Sequence, residues 1–166
     1  MARKAPHMVD VGDDAPVFTA PMTAPSGDIE EFSLADATDD GPVVLAFFPG
    51  AFTSVCASEM TTFRDRLDGL TDAGASLYGV SVDSPFALEE FASQNNLNFP
   101  LVSDIAKDVI DTYDVSMDFD ALGVEGVAKR AVFVIDDDGT VTYEWVSDDP
   151  GVEPDYEAVE AAAGDA

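Results

Sequence analysis

The chain has 166 residues, 46 % of them hydrophobic, which is enough for one domain with a real core and too few for two comfortable ones. Its 34 acidic residues against 7 basic ones give a formal net charge of −27, a surface that repels nucleic acid and anionic membranes, so neither is expected as a partner. A single cysteine excludes an intramolecular disulfide and every zinc or redox arrangement that needs paired cysteines.

The opening residues MARKAPHM carry the only histidine, His7, and the cations Arg3 and Lys4. Residues 1–7 read as a foreign leader or a disordered segment before a native start at Met8, and His7 is given no function. No stretch has the unbroken apolar length of a membrane span, and the N-terminus lacks the hydrophobic core of a secretory signal, so a cytoplasmic location is expected. From residue 11 to residue 34, β-like pieces in PVFTAP and IEEFSL flank TAPSGD, the pattern of a hairpin. The apolar run VVLAFF then predicts a strand buried on both faces. In the stretch from Ser54 to Gly74, Val55, Met60, Phe63, Leu67 and Leu70 recur at helical spacing, so one helix is expected there, stopped by the glycine.

ASLYGVSV reads as the next buried strand, and DSPFALEEFASQNN as a helix capped by Asp83 or Ser84 with Pro85 in its first turn. FPLVSD is a short strand and IAKDVIDTYD a short helix, followed from Val115 to Lys129 by an irregular connector. RAVFVID, the turn DDGT and VTYEWV form a second hairpin, and EPDYEAVEAAAG closes the chain as an amphipathic helix. The acids are scattered through TDDG, IDDDGT and SDDPG rather than gathered in a tail. At molar salt the screening length falls to roughly 3 Å, so such a surface stops repelling itself. The composition resembles that of proteins from salt-in halophilic archaea. DDDG lacks the spaced ligands and distal glutamate of a calcium loop and reads as a turn; no metal is implied.

This order gives one α/β domain over residues 8–166, a central mixed β-sheet with helices on both faces and an N-terminal β-hairpin extension. It is the thioredoxin-like order, which by itself licenses no function. Cys56 stands where the first buried strand turns into a helix, in FFPGAFTSVCASEM. The free N–H groups and dipole of a helix start favour thiolate over thiol. Thr53 lies one turn earlier, where its hydroxyl can face the sulfur, and Pro49 stiffens the loop and shields it from water. Read alone, Cys56 also fits an inert core thiol.

Pro49, Thr53 and Cys56 match Pro-x-x-x-Thr/Ser-x-x-Cys, and here the sequence resembles the peroxiredoxins. The resemblance runs from about Val11 to Tyr156. It implies that Glu59 is a supporting carboxylate and that Arg130, in VAKRAVFVID, is the active-site arginine, with Glu59 orienting it. Relatives of the bacterioferritin-comigratory type carry a second cysteine five residues on, where this chain has Thr61, so it looks one-Cys, closest to the alkyl hydroperoxide reductase E group. The implied activity is reduction of hydrogen peroxide or organic hydroperoxides without a cofactor, through a sulfenic acid recycled by an external thiol or thioredoxin-like protein. A homodimer is expected, with Phe52 and Phe86 in its seam, while Phe48 and Trp145 read as packing and Arg64 and Arg66 as solvated, at most one turning inward. A thioredoxin-type exchange protein and a non-catalytic binding module are the competing readings. Cys-x-x-Cys is absent, which speaks against the first, and the intact motif speaks against the second.

Overall fold

A computed structural model describes residues 9–51, 53–119 and 123–166. The N-terminal hairpin forms as β1 (Thr19–Thr23) and β2 (Ile29–Ser33), with Ala20 opposite Phe32. It runs into a helix that sequence reading passes over, α1 (Leu34–Thr38), capped by Ser33, whose hydroxyl accepts from the Asp36 N–H. Five residues are too few for a helical period to show.

VVLAFF forms β3 (Val43–Phe47), and the two-residue alternation of a strand splits its side chains between two cores. Val43, Leu45 and Phe47 enter one, and Val44, Ala46 and the following Phe48 enter the other, all fully buried. Each such side chain contributes about 1.5–3 kcal/mol when removed from water, which is why this strand is the centre of the molecule.

The single helix expected over residues 54–74 is two helices, α2 (Ser54–Asp65) and α3 (Leu67–Asp72), broken at Arg66, where the backbone leaves helical geometry at φ −106° and ψ 7°. Phe63 and Leu70 pack into the same core across the break, so the apolar spacing continues and hides it. Next come β4 (Ser76–Ser81), α4 (Pro85–Asn95), β5 (Leu101–Ser103) and α5 (Asp108–Thr112). Of the two candidate caps of α4, Ser84 does the work, accepting from the Ala87 N–H, with Pro85 at the first position.

The expected irregular connector is corrected. Residues 115–129 contain β6 (Ser116–Phe119) and β7 (Val124–Ala128), an antiparallel pair separate from the main sheet. Its register shifts between Met117 and Phe119, which removes the clean alternation that would have announced it. The chain ends in β8 (Arg130–Ile135), β9 (Val141–Ser147) and α6 (Tyr156–Asp165). In the β8–β9 turn, the Asp136 carboxylate accepts from the N–H groups of Asp138 and Thr140, as the turn reading of DDDG requires.

The main sheet has the order β2-β1-β5-β4-β3-β8-β9, parallel across β5, β4 and β3 and antiparallel elsewhere. α1 and α5 cover one face through Leu34, Val109 and Ile110; α2, α4 and α6 cover the other through Met60, Phe91 and Val159. This is the mixed, doubly covered sheet with a hairpin extension that the sequence implies. Among the described residues no helix is long and apolar enough to cross a membrane.

Candidate active site

The chain leaves the carboxyl end of β3 through Pro49 and Gly50 and enters α2 at Thr53, whose extended backbone (φ −94°, ψ 149°) marks it as the N-cap. The Thr53 hydroxyl accepts from the Cys56 N–H at 3.3 Å and donates to the Gly50 carbonyl at 3.4 Å. It thus faces the cysteine's amide and ties the loop to the first helical turn. The loop is pinned a second time by Asp83, which accepts from the Ala51 N–H at 2.7 Å and from the Ser81 hydroxyl at 2.7 Å. The sequence offers Asp83 only as a possible helix cap; its loop contact spans 32 residues and leaves no mark in sequence spacing.

Arg130 reaches the same place from β8 by strand parity. Val132 and Val134 point into the core shared with α2, so Arg130, two residues earlier, points the same way. Its guanidinium is 1 % exposed and donates four hydrogen bonds. Nη1 donates to Glu59 Oε1 at 2.7 Å, Nη2 to Cys56 Sγ at 3.2 Å, and Nε and Nη2 both to the Pro150 carbonyl, at 3.1 and 3.0 Å. Glu59 and Cys56 meet one cation because they stand three apart on α2, on one face of the helix.

Burial drives the electrostatics. It pushes the Glu59 carboxyl up to about 8, against the pull of Arg130 and with further help from Glu153. Burial opposes the charge on Arg130 as well, yet Glu59 and Cys56 together hold the guanidinium above the usual arginine value. Glu59 Oε2 is buried without a hydrogen-bond partner among the described residues.

Sequence reasoning missed the Pro150 carbonyl, since a main-chain acceptor has no residue signature. It belongs to a strap from β9 to α6 that is fastened by the Lys129–Asp148 ion pair at 2.8 Å and by Ser58 donating to Glu153 at 3.4 Å. Above Cys56 lies an open cavity of about 580 Å³ bordered by Pro49, Thr53 and Arg130, with an apolar wall that includes Val55, Phe119 and Val127. Cys56 is itself fully buried at the cavity floor.

The remaining candidates lie elsewhere. Neither of the other two helix arginines turns inward: Arg64 pairs with Asp65 and donates to the Asn95 carbonyl, and Arg66 pairs with Glu160. The Thr61 hydroxyl donates to the Ala57 carbonyl. Phe48 is core, Trp145 packs against it, and Phe86 is 72 % exposed; Phe52 and residues 1–7 lie outside the described residues.

A sulfur that accepts a hydrogen bond from a buried guanidinium is not an inert core thiol. The site holds one thiol, one fixed cation and a capped helix start at the floor of a cavity, a set that can stabilise a sulfur anion and charge developing on an oxygen next to it.

Comparison with known proteins agrees. The AhpC/TSA family model matches residues 11–144. A chloroplastic 2-cysteine peroxiredoxin of Chattonella marina var. antiqua is 35 % identical over 84 % of this chain and 71 % of its own length. Alkyl hydroperoxide reductase C of Helicobacter pylori is 33 % identical over 82 % of this chain and 70 % of its own. Among solved structures, the peroxidoxin BcpB of Mycobacterium tuberculosis superposes with a TM-score of 0.78 at 29 % identity, covering 93 % of this chain and 96 % of that one. The reduced 2-Cys peroxiredoxin of Plasmodium vivax gives 0.82 at 28 % identity, covering 92 % and 79 %. With its sheet order, its Pro-x-x-x-Thr-x-x-Cys turn and its Arg130–Cys56 contact, the chain belongs to the AhpC/TSA family, the thioredoxin-fold peroxiredoxins.

Proposed function

We propose that the protein is a one-Cys thiol peroxidase in which Cys56 is the peroxidatic residue and Arg130, Thr53 and Pro49 complete the catalytic site. The observation that carries this is the 3.2 Å hydrogen bond from Arg130 to Cys56 Sγ in a buried site below an open cavity. The Cys56 thiolate attacks the terminal oxygen of a hydroperoxide; an S–O bond forms, the O–O bond breaks, and the leaving oxygen takes a proton to become alcohol or water. Arg130 is fixed on three sides, so its charge is in place for the departing oxygen without reorganisation, the condition under which such donors lower a barrier. Thr53 positions the reacting oxygen from the cavity wall, Pro49 limits water, and Glu59 orients Arg130.

With one cysteine in the chain, two external thiols return the sulfenic acid to thiol, giving their disulfide and water. A small thiol or a thioredoxin-like protein fills that role. The −27 charge supports a high-salt cytoplasm as the working environment, and the exposed Phe86 supports a homodimer seam. Peroxide consumption with dithiothreitol at high salt tests the reading: wild type turns over, while Cys56→Ser and Arg130→Ala do not. A wild type no faster than Cys56→Ser refutes it. Insulin reduction, the mark of a thioredoxin-type protein, is expected to be absent.

A further inference from the structure

Arg130 is one buried cation held between two acids. Its Nη1 is 2.7 Å from Glu59 and its Nη2 3.2 Å from Cys56 Sγ, and all three residues are at most 1 % exposed. If carboxyl and sulfur were both ionised, the cluster would carry a net negative charge on buried groups. The surroundings add to the difficulty. From the strap, Glu153 acts on Glu59 with the same sign of charge; Tyr156 of α6 donates to Glu153 at 2.5 Å and feels the charge of Glu59; and Arg130 is the cation that opposes them. An independent observation points the same way. Among the described residues Glu59 Oε2 has no hydrogen-bond partner, and a lone oxygen of an ionised carboxylate is far costlier to bury than the hydroxyl of a neutral one.

We propose that the reduced protein keeps a single proton on the Cys56–Glu59 pair, which rests on Glu59 while the sulfur is thiolate and leaves Glu59 when peroxide removes the sulfur's charge. The second half rests on the peroxidase reading above. The step balances: Cys56 thiolate, neutral Glu59 and ROOH give Cys56 sulfenic acid, ionised Glu59 and ROH. Sulfur gives two electrons to the O–O bond, and the proton gained by the leaving oxygen is matched by the one Glu59 gives up. Glu59 touches no substrate here. It acts through Arg130, whose charge it claims after the sulfur anion is gone and yields while the anion is present. This differs from mere orientation of the guanidinium, because a permanently ionised clamp would draw on the cation's charge while the sulfur anion needs it.

Two measurements on the full chain at high salt separate them. In the pH profile of iodoacetamide alkylation of Cys56, Glu59→Gln keeps the shape of the side chain and stands in for the neutral carboxyl. The half-maximal pH is expected to stay where wild type has it. A fall of about one unit or more, the sign of a carboxylate ionised beside the thiol, or a rise, the sign of a lost clamp on Arg130, overturns the proposal. Infrared difference spectroscopy needs no Glu59 variant to fold: alkylating Cys56 in wild type at a pH where it is thiolate should bleach one carboxylic-acid carbonyl band. Absence of any such band under those conditions also overturns it. Should the peroxidase reading alone be wrong, both signatures persist while peroxide goes unconsumed.

Discussion

Replacing Arg130 by lysine isolates what the guanidinium fork contributes, because it keeps a positive charge beside Glu59 and loses the shape. Arg130 donates to Glu59, Cys56 and Pro150 at once, with contacts of 2.7 to 3.2 Å from three nitrogens. A lysine ammonium has its three donors on a single nitrogen, and it cannot stand at hydrogen-bond distance from all three acceptors. The contact with Glu59, the shortest of the three at 2.7 Å, is the one it keeps. The sulfur and the Pro150 carbonyl then lose their donor. Loss of one preorganised donor to the reacting centre costs about 2.7–4 kcal/mol, or about 100- to 1,000-fold in rate. A buried carbonyl left unsatisfied lowers stability by about 1–3 kcal/mol. The assay is stopped-flow oxidation of the reduced protein by one equivalent of peroxide, with urea unfolding alongside to confirm that the variant is folded. If Arg130→Lys reacted within about threefold of wild type while folded, the fork would be dispensable and the assignment of the transition-state charge to Arg130 would be wrong.

Further expectations concern the cap, the buried acid, the salt response and the core. Thr53→Val removes the acceptor for the Cys56 N–H and should cost about 1 kcal/mol of stability together with most of the peroxide reactivity, both recovered by Thr53→Ser; equal loss in Thr53→Val and Thr53→Ser would contradict the hydroxyl's role. Because Glu59 is raised from 4.5 to about 8 in the folded chain, the folded state binds the extra proton in between, so its stabilising contribution is full below about 4.5 and is lost as pH rises through 8. The thermal midpoint of wild type relative to Glu59→Gln should therefore fall over that window, and a rise would contradict it. With a net charge of −27, the midpoint should climb between low and molar sodium chloride, and a flat response would argue against self-repulsion as the destabilising force. Gly79 in β4 has no room for a side chain: an added Cβ would sit 2.7 Å from a Leu101 methyl and 3.3 Å from Met60 and Phe48. Gly79→Ala should lower stability by about 1–3 kcal/mol in urea.

What the sequence makes legible follows from where the physics is local. The VVLAFF run, the Ser84–Pro85 helix start and the strand-to-helix turn before Cys56 all depend on residues within a few positions of one another, and each is where its composition places it. The break at Arg66 is invisible because Leu70 continues the helical spacing and neither glycine nor proline marks the bend. β6 and β7 escape because a register shift interrupts their alternation. In the site, the family motif makes Cys56, Thr53, Pro49, Glu59 and Arg130 readable, and the structure brings Cys56, Glu59 and Arg130 into direct contact. The Pro150 carbonyl and the Asp83 pin are not readable, for they reach across 20 and 32 residues through main-chain atoms that every residue type possesses.

Intact-mass and peptide mass spectrometry after one equivalent of hydroperoxide tests the central claim most directly. Wild type should gain a single oxygen, or the adduct of an added small thiol, located at Cys56, and the gain should be lost on reduction with excess thiol. Peroxide consumed while Cys56 stays unmodified, or oxygen found only on methionine, would contradict the account.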